Sequence, residues 1–171
     1  MGPATGSRSP NVISMFLAGL EAGMLAAVGL LAWMGATAVL ARRSFWTPEN
    51  LMASLFYGGD AIRGGWVATT FSGLALYLLL YSLLGAGFAA VVRDRLSSLR
   101  IALAGILFGL CWYWLWFRLV SRFAAPLVAQ LHIVNTTIWG HAIYGALLAR
   151  YPLYAARRQK PSEGVAGGAG E

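Results

Sequence analysis

Residues 64–92 read GGWVATTFSGLALYLLLYSLLGAGFAAVV, 29 consecutive positions without Asp, Glu, Lys or Arg. A helix rises about 1.5 Å per residue and needs about 20 mainly apolar residues to cross a hydrocarbon core of roughly 30 Å. This stretch is therefore long enough to span a membrane as one helix. Three more charge-free windows flank it: 22–41 (20 residues), 101–117 (17 residues) and 123–149 (27 residues). The 101–117 window is marginal in length, and the 123–149 window holds one span behind a polar approach with Gln130, His132 and Asn135.

Composition points the same way. The chain is 58% hydrophobic and 11% charged over 171 residues, against about 45–50% and about 25% for a soluble domain. Thirteen Lys and Arg with six Asp and Glu cannot cover a water-facing surface of that size. The expected fold class is an all-α integral membrane protein. Its architecture is a four-transmembrane-helix bundle with spans at about 13–41, 66–92, 101–120 and 131–149. Residues 1–156 form a single membrane domain, and 157–171, rich in Gly and Ala, form a disordered cytoplasmic tail.

The first span competes with a signal peptide. The apolar run from Val12 to Ala41, broken only by Glu21, is twice the length of a signal h-region, and the Ala36-Thr37-Ala38 match lies deep inside it. The helix is read as retained. The opening Met1-Gly2-Pro3-Ala4-Thr5-Gly6 lacks the Ser or Thr that myristoylation needs at position six. Arginine and lysine count eight on the side of the termini and the 93–100 loop, against five on the other (Arg42, Arg43, Arg63, Arg118, Arg122). The positive-inside rule then puts both termini in the cytoplasm. The net charge of +7 is spread beside the spans, where basic residues meet anionic headgroups. It is not interleaved with base-reading side chains, so no nucleic-acid partner is expected. The lone Cys111 lies in an apolar run and has no second thiol to pair with.

Between the first two spans, Thr47-Pro48-Glu49-Asn50 is a helix start: Thr at the cap, Pro at the first position and an acid in the first turn. Leu51, Met52, Leu55 and Phe56 follow on one face. The pattern predicts a short interfacial amphipathic helix over about 48–57, stopped by Gly58-Gly59, with Asp60 and Arg63 at the entry to the next span.

Lipid supplies no hydrophobic drive between helices, so close packing relies on small residues four apart. The spans carry Gly19, Gly23 and Ala27; Ser82, Ala86 and Ala90 beside Gly85 and Ala89; Gly105 and Gly109; and His141, Gly145 and Ala149. Together they predict a tightly packed bundle. The aromatic end of the third span (Trp112, Tyr113, Trp114, Trp116, Phe117), next to Arg118 and Arg122, reads first as an interfacial belt. The alternative is an aromatic-lined pocket for a lipid or quinone-like ligand.

Ionisable groups inside a membrane are functional candidates when they are deep. Arg118 can snorkel out. Glu21 is interfacial if the first span starts at Ala22, and about 13 Å inside if it starts near Val12. His141 lies about 13 Å from the boundary at Arg150. Gln130, Thr137, His141 and Gly145 share one helical face, and Thr70, Gly73, Tyr77 and Tyr81 form a comparable stripe on the second span. The two stripes are expected to face each other. Glu21, His141, Thr137, Tyr77 and Gln130 form the candidate intramembrane polar site, with a Glu21–His141 contact as its sharpest version. The competing account, that such groups are interhelical hydrogen bonds fixing the packing, takes precedence.

Enzyme signatures are missing: no H-E-x-x-H, G-x-S-x-G, Walker Gly-Lys-Ser/Thr or G-x-G-x-x-G on a strand. His132 and His141, without a nearby carboxylate, make no metal site. No cofactor is expected.

Several segments carry a resemblance: Phe45-Trp46-Thr47-Pro48-Glu49-Asn50-Leu51-Met52-Ala53, Ser72-Gly73-Leu74-Ala75-Leu76-Tyr77, Tyr81-Ser82-Leu83-Leu84-Gly85, Gly105 to Tyr113, Ala124-Ala125-Pro126-Leu127-Val128 and Gly140-His141-Ala142-Ile143-Tyr144-Gly145. The arrangement resembles small bacterial four-helix inner-membrane proteins of the YagU-like kind. The resemblance implies a cytoplasmic membrane and four helices and carries no activity. The expectation for function is a non-enzymatic accessory or subunit of a membrane assembly, in contact with the lipid bilayer and with membrane-protein partners or further copies of itself. The alternative is a small oligomeric transporter or channel using a His/Glu pair in the membrane.

Overall fold

The computed structural model describes residues 12–92 and 97–159, and no strand occurs among them. The element order is α1 (Val12–Leu40), α2 (Thr47–Tyr57), a short 3-10 turn (Gly58–Ile62) and α3 (Ala68–Val92). Then come α4 (Ser98–Leu115), α5 (Ser121–Ala124), α6 (Pro126–Leu131), α7 (Val134–Leu148) and α8 (Tyr151–Gln159). A π-helical turn, Trp116–Val120, carries α4 into α5. Three of the described helical stretches are long and apolar enough to cross a membrane: Val12–Leu40, Ala68–Val92 and Ser98–Ala124.

α1 is the central helix. It packs along α3 on one side and α7 on the other, α7 packs on α4, and α8 folds back onto α1. Contact between α3 and α4 is slight. The small-residue stripes make the close crossings. Gly19 and Gly23 of α1 face Gly85, Ala86 and Ala89 of α3, and Gly105 and Gly109 of α4 face His141 and Gly145 of α7, backbone against backbone. Ala90, counted in the α3 stripe, is instead exposed.

The helix expected at about 131–149 is α7, Val134–Leu148, and the approach before it is broken into separate turns. Pro126 disfavours a helical conformation at the residue before it, and Ala125 stands at φ −145°, ψ 64°. α5 ends there and α6 begins on the proline. α6 stops at His132, whose backbone N–H and ring Nδ1–H take the carbonyls of Val128 (3.2 Å) and Ala129 (2.9 Å). Ile133 is extended, and α7 starts anew with only 15 residues.

α2 spans the expected residues, and Leu51, Met52 and Leu55 pack on the core as expected, but its polar first turn is buried too. Glu49, Asn50 and Ser54 are buried with Met52 and Ala53, while Phe56 is 63% exposed. The Glu49 carbonyl rests on Gly73 of α3, where any side chain would collide. Thr47 is not the cap: Trp46 precedes the helix, and the Thr47 hydroxyl donates back to the Ser44 carbonyl at 2.6 Å. The helix ends before Gly58, whose φ of 60° suits a residue without a side chain. Asp60 and Arg63 pair at 3.6 Å in full exposure. At the other end, α8 continues to Gln159, three residues into the segment expected to be tail. The expected disorder from residue 160 onward lies outside the described residues.

Candidate functional site

The two polar stripes meet in the centre of the molecule. Thr70, Gly73, Tyr77 and Tyr81 are all buried along one face of α3, and Thr137, His141 and Tyr144 are buried on α7. Tyr81 Oη lies 2.8 Å from His141 Nε2. His141 Nδ1 lies 2.7 Å from the Thr137 carbonyl, one turn earlier on α7. A carbonyl only accepts, which assigns the ring hydrogen to Nδ1 and leaves Nε2 as acceptor for the Tyr81 hydroxyl. The Tyr144 hydroxyl donates to the Tyr81 carbonyl at 2.6 Å. Tyr77 stacks on Tyr81 (centroids 4.8 Å, planes 8° apart) and donates to Met34 Sδ of α1 at 3.3 Å.

α4 closes this group with aromatic rings. Tyr113 meets His141 edge-on at 5.4 Å, and Phe117 stacks on His132 at 4.0 Å and 27°. Of the aromatic run, only Trp114 turns clearly outward, so much of it faces the protein as well as its surroundings.

Two of the five sequence candidates lie elsewhere. Glu21 pairs with Arg158 of α8 at 3.0 Å, with its side chain 34% exposed, so its partner is Arg158 rather than His141. Gln130 is exposed on α6, because the helix break at 132–133 takes it off the α7 face. Thr137, His141 and Tyr77 do belong to the buried group.

Sequence reasoning passed over the carboxamide and carboxylate of α2 as simple helix-start residues. Asn50 Nδ2 donates to the carbonyls of Gly64 (3.1 Å) and Gly65 (2.8 Å), and its Oδ1 accepts from Thr70 Oγ1 at 2.6 Å. This ties α2, the loop after it and the first turn of α3 together. Glu49 is 1% exposed and its Oε2 has no hydrogen-bond partner. Burial away from water pushes its carboxyl up to about 7, against the opposing pull of its own backbone N–H.

Two small cavities lie between α1, α2, α6 and α7 and share Met34, Pro48, Leu51 and His132. The outer one is bounded by Arg43, Thr47, Thr136 and Thr137, and the inner one reaches Tyr77 and Tyr81. The space open to the centre of a water molecule is about 40 Å³ in the outer and about 20 Å³ in the inner cavity. One water needs about 10–15 Å³ on that measure, so the pair suits a few waters and not a lipid or a quinone.

Comparison with family models, with curated proteins and with solved structures finds no match to this chain.

Proposed function

We propose that the chain is a four-span protein of the bacterial inner membrane, with both termini cytoplasmic, serving as a non-enzymatic accessory or subunit of a larger membrane assembly. The observation that carries this reading is the fate of the interior polar groups. Both ring nitrogens of His141, the Tyr144 hydroxyl and the Asn50 amide each end on a partner in a neighbouring turn or helix. Groups joined in this way hold helices in register.

The fourth span would be α7, supported by its antiparallel seating between α1 and α4. Fifteen helical residues cover only about 22 Å, and the α6 approach and the turn into α8 would supply the remaining thickness. The short motifs shared with the YagU-like proteins lean the same way. The transporter alternative would have to work through His141 without Glu21, which is engaged by Arg158.

Purification from native membranes under mild conditions tests the reading. A discrete assembly containing other polypeptides in fixed ratio is the expected result. A homo-oligomer with no second polypeptide would favour the transporter instead.

A further inference from the structure

The cavities, the Tyr81–His141 bond and the glycine crossings define an opening that leads inward from the α2 end. The outer cavity lies at the α2 end, the inner one continues to Tyr81, and the two share His132 as a common wall. His141 lines neither, and Tyr81 stands between the inner cavity and His141 Nε2 at 2.8 Å. Toward the other end the path meets backbone-to-backbone contacts of Gly23 with Tyr81 and Gly85, and of Gly109 and Gly105 with His141 and Gly145. Those crossings lack room even for a Cβ.

We infer that the paired cavities are a water inlet from the α2 end and that Tyr81 relays protons from it to a proton-binding site at His141. This goes beyond the accessory reading and does not depend on it. The ligand is a proton carried by water, for which the cavity volume is ample. In the relay, a hydronium in the inner cavity gives a proton to Tyr81 Oη and leaves as water. Tyr81 passes its original hydroxyl hydrogen to Nε2, so one proton enters and no other bond changes. The imidazolium then donates from both nitrogens, to Tyr81 Oη and to the Thr137 carbonyl, and the new Tyr81 hydrogen turns to the cavity water.

The titratable groups around His141 are few. Tyr81 meets it from α3 and Tyr113 from α4; Tyr77 and Tyr144 both lie against Tyr81, and His132 of the α6–α7 link lies across the Phe117 ring that also meets His141. α1 contributes the thioether of Met34 through Tyr77, and Glu49 of α2 lies behind Tyr77. Among the described residues no Lys or Arg contacts the ring, so an added proton meets a tyrosine oxygen rather than a cation.

The test is water-edited solid-state NMR on the full chain in lipid bilayers, reading how fast water magnetisation reaches the rings of His132 and His141. The wild type is expected to transfer to both. Tyr81→Phe keeps the ring stack and the backbone carbonyl that Tyr144 uses. It should slow transfer to His141 about tenfold or more, since exchange then waits on local opening, while His132 is unchanged. Leu51→Trp fills the shared wall of both cavities and should slow transfer to both histidines, giving a second route should the Tyr81 variant fail to fold. Wild-type transfer to His132 with none to His141 would overturn the inlet. Equal transfer to His141 in the wild type and in either variant would overturn the relay.

Discussion

Glu49 puts a carboxylate where water does not reach, at the first turn of a helix whose polar face is turned into the protein. The first-turn position helps by roughly 0.3–1 kcal/mol when the group is charged, but burial weighs more, as the rise to about 7 records. The folded state therefore holds the proton more tightly than the unfolded chain, whose glutamate titrates near 4.5. Between those two values the folded protein binds more protons than the unfolded one, so stability falls as pH rises through about 4.5 to 7 and is flat above. Glu49→Gln should remove that slope and raise stability at pH 8 by about 2 kcal/mol, measured by denaturant unfolding in detergent across pH. Arg42 is a second residue-scale case. It closes α1 at φ 58°, with the Arg43 N–H returning to the Ala38 carbonyl at 2.9 Å. A side chain in that left-handed region costs about 1 kcal/mol, and Arg42→Gly should raise the unfolding free energy by roughly that amount less the added chain entropy, a net gain of a few tenths. The sequence shows neither effect, because Leu51, Met52 and Leu55 mark the apolar face of α2 but do not show that Glu49 and Asn50 are covered as well.

At the scale of elements, the glycine crossings decide how close the helices come. A Cβ at Gly105 would run into the Gly145 carbonyl, and one at Gly85 into the Gly19 carbonyl. Neither neighbour is a flexible side chain, so the helices themselves must separate. Gly105→Val should cost at least about 2 kcal/mol and loosen α4 from α7, read as a lower unfolding midpoint and faster proteolysis in the α4–α7 region. Gly87 is the internal control, with nothing within 4 Å of a built Cβ. Gly87→Ala should leave the midpoint unchanged or raise it by up to about 1 kcal/mol through helix propensity. These stripes were legible because four-residue spacing of small side chains is a local property that a straight helix converts directly into a groove. The polar approach at Gln130, His132 and Asn135 was legible, but the break at 132–133 was not, because the capping comes from the His132 ring itself. That break also explains why Gln130, correctly spaced for a continuous helix, misses the face on which Thr137 and His141 lie.

For the whole molecule the open matter is the parity of the crossings. Three described stretches have the length and composition of spans, and if only these cross, the N- and C-terminal ends fall on opposite sides of the membrane. α7 tips the parity if it crosses too. It is antiparallel to both neighbours, with Gly140 against Leu30 and Met34 of α1 and Gly145 against Gly105 of α4, and it carries the buried His141 and Tyr144. Trp139 on its outer face is 63% exposed, and an aromatic ring facing outward is at home in lipid or at its interface. α8, with Arg157 and Arg158, returns to the start of α1, where Arg158 holds Glu21. That contact brings the end of α8 beside the beginning of α1, so the two can share one side only if the number of crossings is even. Reporter fusions that fluoresce only in the cytoplasm, attached at either terminus of the full chain, should both be bright. One bright and one dark terminus would leave α7 as a helix that dips into the membrane without crossing it.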